Sequence, residues 1–238
     1  MDITQTRAIV TGGASGLGAA TAKAFVGAGA QVTIFDRAPT GAAYATDIGA
    51  QFAQVDVTDE ASITAGLDHA GDINAVINCA GIVITEKTLG RDRPHDQDNF
   101  NRTTDINLNG TFNVARLAAE RMKDGGVIIN TASVAAFEGQ KGQAAYAASK
   151  AGITGLSLPM ARDLARNGIR VVAIAPGIFR TPMLESLGQD VMDGLARDVT
   201  YPARLGDPSE FAALARVIVE CDYLNGTTIR LDGALRLP

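Results

Sequence analysis

Short apolar, β-branched runs recur along the chain at 8–11, 31–36, 51–55, 75–78, 127–131, 170–175 and 228–231, with helix-forming stretches between them. That alternation predicts parallel βαβ units. Val127, Ile128 and Ile129, like Val171 and Val172, are apolar at consecutive positions. A strand reads this way when helices cover both its faces. Stretches 18–28, 100–123, 145–166 and 208–220 are long enough and rich enough in Ala and Leu to be helices. Right-handed crossovers leave few arrangements for this order besides a doubly wound, Rossmann-type α/β sheet of about seven parallel strands with helices on both faces. No repeat or Pro/Ser-rich linker divides residues 1–238, so a single domain is expected. Two irregular stretches, 83–99 and 177–207, should project from the sheet edge.

Composition narrows the function. With 46% hydrophobic and 20% charged residues, the chain has what a folded core needs and no disordered tract. A net charge of −5 offers no broad basic face, so no nucleic-acid partner is expected. No apolar run approaches the ~20 residues of a membrane span. Cys79 and Cys221 are too few for a disulfide framework or a zinc site, so no metal is expected. Residues 1–7 are polar and lead straight into the first strand, so no targeting segment is expected. The expected location is cytoplasmic.

Chemistry first shows at Thr11-Gly12-Gly13-Ala14-Ser15-Gly16-Leu17-Gly18, directly after the first strand. Glycines let the backbone bend tightly and approach a pyrophosphate at a helix N-terminus. Gly-rich turns are common, and this one lacks the usual G-x-G-x-x-G spacing. The second strand, however, ends in Asp36, where a carboxylate can accept hydrogen bonds from ribose hydroxyls and repel a 2′-phosphate. NAD is therefore the expected cofactor, although Arg37 is a cation that could pair with such a phosphate.

Tyr146 and Lys150 lie four apart on a predicted helix and so share a face. Ser133 lies just beyond the C-terminal end of the fifth strand, where open α/β sheets place their ligands. A tyrosine acting as a base near neutral pH needs its pKa lowered by about three units, or ~4 kcal/mol. One ammonium at ~4 Å supplies about that at an effective dielectric near 20. Lys150 is thus expected to lower the Tyr146 pKa.

Together these motifs resemble the short-chain dehydrogenase/reductase family over essentially the whole length. Thr11 to Gly18 matches its cofactor turn through Gly12, Gly16 and Gly18. Asp56-Val57 matches its adenine contact, and Asn78-Cys79-Ala80-Gly81 its N-N-A-G segment, with Cys79 in place of the second asparagine. The family tetrad falls on Asn107, Ser133, Tyr146 and Lys150. By this resemblance Ser133 stabilises the substrate oxygen, Tyr146 exchanges its proton, Lys150 also binds the nicotinamide ribose, and Asn107 holds a water. Asn107 could equally pin a helix kink. Pro176 follows the sixth strand as in the family, Thr181 is placed for the carboxamide, and oligomerisation through the long helices implies a homotetramer.

More narrowly, the chain is similar to the type II 3-hydroxyacyl-CoA dehydrogenases, in stretches such as 127–139, 204–208 and 224–233. That likeness adds Ser15, Leu17, Cys79, Ala80, Gly81 and Phe179 as cofactor contacts, Cys79 reading as a cofactor wall and not a nucleophile. The implied substrate is a 3-hydroxyacyl-CoA or another secondary alcohol or ketone. A carrier-protein 3-oxoacyl reductase, a hydroxysteroid dehydrogenase and a non-catalytic scaffold are the rival readings. The intact tetrad opposes the scaffold and Asp36 opposes an NADPH-dependent reductase. Lys87, Arg91 and Arg93 could meet coenzyme A phosphates or be solvated surface. Residues 182–207 read as a substrate lid, with Leu184, Leu187, Val191, Met192 and Leu195 at helical spacing.

Overall fold

Strand β1 (Arg7–Thr11), helix α1 (Gly16–Gly27) and strand β2 (Gln31–Asp36) open the computed structural model as a βαβ unit. The structure describes residues 1–185 and 188–237. Strands β3 (Gln51–Gln54), β4 (Ala75–Asn78), β5 (Gly126–Thr131), β6 (Ile169–Pro176) and β7 (Thr227–Leu231) complete one parallel sheet in the order β3-β2-β1-β4-β5-β6-β7. The order reverses between β1 and β4, which pair directly. Ligands of such sheets sit at the strand C-termini beside this point.

Consecutive apolar residues are explained by the two faces. Val10, Ile34, Ile129 and Val172 pack toward Phe25 of α1 and Phe211 of α9 (Pro208–Glu220). Ile9, Val76, Ile128 and Val171 pack on the other side, with Leu67 of α3 (Glu60–Ala70), Val114 of α5 (Gly110–Arg121) and Met160 of α6 (Ala144–Leu164). Helix α9 starts where its residues dictate. Asp207 accepts from the Ser209 amide, the Glu210 carboxylate accepts from the Asp207 amide, and Pro208 occupies the first helical turn.

Three features depart from the sequence reading. Helices α2 (Gly41–Ile48) and α3 were not singled out; both are short, and α3 is kept by an Asp59 cap and by burial of Ile63 and Leu67. The stretch expected as one helix over 100–123 begins earlier, as α4 (Gln97–Thr104), and passes through a π-helical turn at Asp105–Asn109 before α5. That wider turn faces the buried Asn107 toward the sheet ends, a position where such turns often serve a site. The lid stretch holds two short helices, α7 (Pro182–Glu185) and α8 (Gln189–Arg197). Among the described residues, no helix is long and apolar enough to cross a membrane.

Candidate active site

The turn after β1 can be built only from glycine at its key points. Gly12 and Gly16 have φ of +62° and +52°, and a Cβ on Gly18 would lie 2.3 Å from the Gly12 carbonyl oxygen. A Cβ on Gly12 would meet the Ala80 backbone at 2.9 Å, so the turn lies against the chain leaving β4. The Thr11 hydroxyl fastens the two by accepting from the amides of Cys79 and Ala80, both at 3.1 Å. Ser15 occupies the N-cap of α1 without capping it, which leaves the first-turn amides open to an anion. Thr181 lies beside Gly16, its Cγ2 3.5 Å from where a Cβ there would be. Leu17 packs on the core beneath the turn.

At the end of β2, the Asp36 carboxylate accepts from the Ala14 and Ala38 amides, each at 3.0 Å, so it sits directly on the glycine turn. Asp56 accepts from the Thr58 amide and hydroxyl, which hold its carboxyl below the usual range, and Val57 is buried against Gly110. Exposed Arg37 joins Asp56 and Arg102 around an open depression of about 350 Å³. Open helix amides, a glycine-only turn and a strand-end acid form a donor and acceptor set that fits a dinucleotide.

Beyond β5, Ser133 caps the single 3-10 turn Val134–Ala136, its Oγ accepting from the Ala135 amide at 3.1 Å. Tyr146 lies in the first turn of α6, and Lys150 one turn on is only 4% exposed. The Lys150 Nζ donates to the Thr131 carbonyl at 2.7 Å and stands 5.8 Å from the Tyr146 ring centroid. Gly81 leaves it room, since a Cβ there would be 3.6 Å from Nζ. The Asn107 Oδ1 accepts from the Ile82 amide while its Nδ2 donates to the Ile82 carbonyl and to Ser149 Oγ; Ser149 Oγ in turn donates to the Tyr146 carbonyl. Asn107 therefore does pin the helix irregularity, and it tethers the Tyr146 turn as well.

Burial dominates the electrostatics of the site. In the free protein burial pushes the Tyr146 phenol up, with the Ser133 hydroxyl acting the other way. The Lys150 ammonium donates to the Thr131 carbonyl and is not among the groups that shift the phenol in this state. Burial also brings Lys150 itself down to about 8, opposed only by Cys79. The Cys79 thiol is pushed up to about 11, chiefly by burial, which keeps it protonated and unsuited to act as a nucleophile.

The remaining residues fall as follows. Pro176 ends β6, and Phe179 pairs with Gly206 while its ring fills the space a Cβ there would need. Arg93 is engaged by Glu86 and Asp96, so it is not a free cation; Lys87 and Arg91 are exposed. In the lid Met192 and Val199 are buried, and Leu184 and Leu195 half-buried. Leu187 and the side chains of Met183 and Val191 lie outside the described residues.

Three site residues escaped the sequence reading: Thr131, Ser149 and Asn130. Thr11, Asn78 and Asn130 are register partners across three strands. The Thr11 hydroxyl donates to Asn78 Oδ1 at 3.4 Å and the Asn78 amide donates to Asn130 Oδ1 at 3.0 Å, linking the start of the glycine turn through β4 to the strand that leads to Ser133. A polar residue closing the apolar run of β5 was the available signal for Asn130. Thr131 meets Lys150 through its backbone carbonyl, which no residue type announces, while its hydroxyl donates to the Cys79 sulfur.

Residues 6–192 match the family model described as short chain dehydrogenase. A 3-hydroxyacyl-CoA dehydrogenase type-2 of Homo sapiens is 51% identical, with 97% of this chain and 95% of that one covered. Its namesake in Drosophila melanogaster is 48% identical, with 96% of each covered. The crystal structure of 3-hydroxyacyl-CoA dehydrogenase type-2 from Mycobacterium avium superposes with a TM-score of 0.93 at 41% identity, covering 97% of this chain and 96% of that one.

Proposed function

We propose that this chain, which belongs to the short chain dehydrogenase family, interconverts (3S)-3-hydroxyacyl-CoA and 3-oxoacyl-CoA with NAD as its cofactor, in fatty acid metabolism. That it is a nicotinamide-dependent oxidoreductase follows from the family and the relatives' names. The observation that carries the reading is Tyr146 and Ser133 meeting at the strand ends above a buried Lys150. NAD over NADP is supported by the Asp36 carboxylate seated on the glycine turn.

When bound, the nicotinamide supplies the hydride acceptor or donor. Ser133 Oγ, oriented by the Ala135 amide, hydrogen-bonds the substrate oxygen. Tyr146 is held neutral, so in ketone reduction its phenol is ready to give a proton to that oxygen. Alcohol oxidation runs the proton the other way and needs a phenolate. Turning the Lys150 ammonium from Thr131 toward the phenol to ~4 Å supplies about 4 kcal/mol at an effective dielectric near 20. Asn107 and Ser149 keep the Tyr146 turn in place during this exchange.

Residues 182–207 act as the lid, closing over the acyl chain through Leu184 and Leu195. Lys87 and Arg91 remain as contacts for coenzyme A phosphates. A homotetramer in the cytoplasm completes the reading. It is supported by exposed Phe112 of α5 and Leu158 of α6, apolar side chains of the kind an interface covers, and by two cysteines left as thiols. The test is NADH oxidation with acetoacetyl-CoA and longer 3-oxoacyl-CoAs, repeated with NADPH. Turnover confined to NADPH overturns the cofactor assignment, and turnover of simple ketones or steroids alone overturns the acyl-CoA substrate.

A further inference from the structure

The chain's last residues run back to the loop that carries Ser133. Glu138, five residues beyond that serine, holds Arg230 through two guanidinium nitrogens, at 2.9 and 3.2 Å. Arg230 stands near the end of β7, donates to Asp232 at 2.6 Å and to the Leu235 carbonyl, and lies over the Phe137 ring at 5.3 Å. Glu138 also accepts from the Leu237 amide and lies 3.5 Å from Arg236, which reaches Asp232 as well. Two acids and two arginines thus close a neutral network in which Asp232 is 10% exposed and Glu138 21%.

The same tail also holds the foot of the lid. The Gly233 carbonyl accepts from the Tyr201 amide and the Ala234 carbonyl from the Thr200 hydroxyl, both at 3.1 Å. Gly233 has φ of +57°, and a Cβ on it would come within 2.6 Å of the Val199 side chain and 3.1 Å of the Tyr201 carbonyl oxygen, so lid and tail are packed closely there. On the other side, the segment after Glu138 runs into the catalytic helix: a Cβ on Gly139 would lie 2.8 Å from Ala147, the neighbour of Tyr146.

We propose that the tail, residues 232–237, is a clamp joining the lid to the catalytic loop, and that Glu138 and Arg230 are positioning residues for Ser133. Neither touches the reacting atoms. Their carboxylate and guanidinium set where the serine turn stands relative to Tyr146 and couple that position to the lid. A displacement of about 1 Å at such a turn is enough to slow chemistry by up to a hundredfold.

Hydrogen exchange and kinetics on Glu138→Ala and Glu138→Gln test this. In Glu138→Ala, amides 134–138 and 199–201 are expected to lose protection together, kcat to fall about tenfold and NADH affinity to stay within twofold. Glu138→Gln keeps an acceptor for Arg230 and Leu237 and should recover part of both. Loss of protection confined to 134–138, or an unchanged kcat, overturns the clamp. Where Glu138→Ala fails to fold, Glu138→Gln decides on the same readouts. The rate arm rests on the proposed reaction: a wild type inactive on 3-oxoacyl-CoA counts against that substrate, while the exchange arm judges the clamp independently.

Discussion

Replacing Lys150 by Met should remove activity and yet make the free protein more stable at pH 7. The buried ammonium is lowered from 10.5 to about 8, equivalent to ~3 kcal/mol of unfavourable burial. Against this, the variant leaves the Thr131 carbonyl without its donor. That carbonyl lies one residue past the last β4–β5 pair, Asn78 with Asn130, and losing its partner costs about 2 kcal/mol. The net gain is about 1 kcal/mol, or ~2–4 °C in Tm for a chain of this size. Its pH dependence identifies the cause. Below pH 8 the lysine is charged in both folded and unfolded chains, so the wild type bears the whole cost. Between about 8 and 10.5 the folded lysine discharges while the unfolded one keeps its proton, and the cost fades as pH rises. Thermal unfolding without cofactor, at one protein concentration, should show the variant ahead at pH 7 and no longer ahead at pH 10. A variant less stable than wild type at pH 7, or an advantage independent of pH, would refute the reasoning.

Tyr146→Phe should abolish turnover while NADH binding, followed by fluorescence, stays measurable; substantial residual turnover would exclude the proton path. Asp36→Ala should weaken NADH binding about tenfold and raise relative use of NADPH, because it removes both the ribose acceptor and the bond from Ala14 in the glycine turn; an unchanged cofactor ratio counts against its role. Gly18→Ala drives a methyl into the Gly12 carbonyl and should cost ~1–3 kcal/mol together with most cofactor affinity, read by urea unfolding and titration. Since burial keeps the Tyr146 phenol protonated through neutral pH, ketone reduction should stay flat there while alcohol oxidation climbs with pH. A reduction rate falling across pH 6–8 would contradict that.

Local patterns made much of this protein legible. Consecutive apolar residues such as Val127 to Ile129 announced strands covered on both faces, and Thr11 to Gly18 announced the cofactor turn, because steric limits on φ act within a few residues. The spacing of Tyr146 and Lys150 placed them on one helix face, since helical periodicity is local too. What the residues could not decide is where each proton rests. The bond from Lys150 to Thr131 and the burial that raises the Tyr146 phenol both arise only because the end of β5 runs beside α6. The turn at Asp105–Asn109 answers to Ile82, and Glu138 answers to Arg230 from 92 positions away. Burial and charge pairing depend on segments that meet only after folding. The sequence by itself therefore determined the scaffold and the candidate reacting groups, while tertiary packing decided their burial and their alignment.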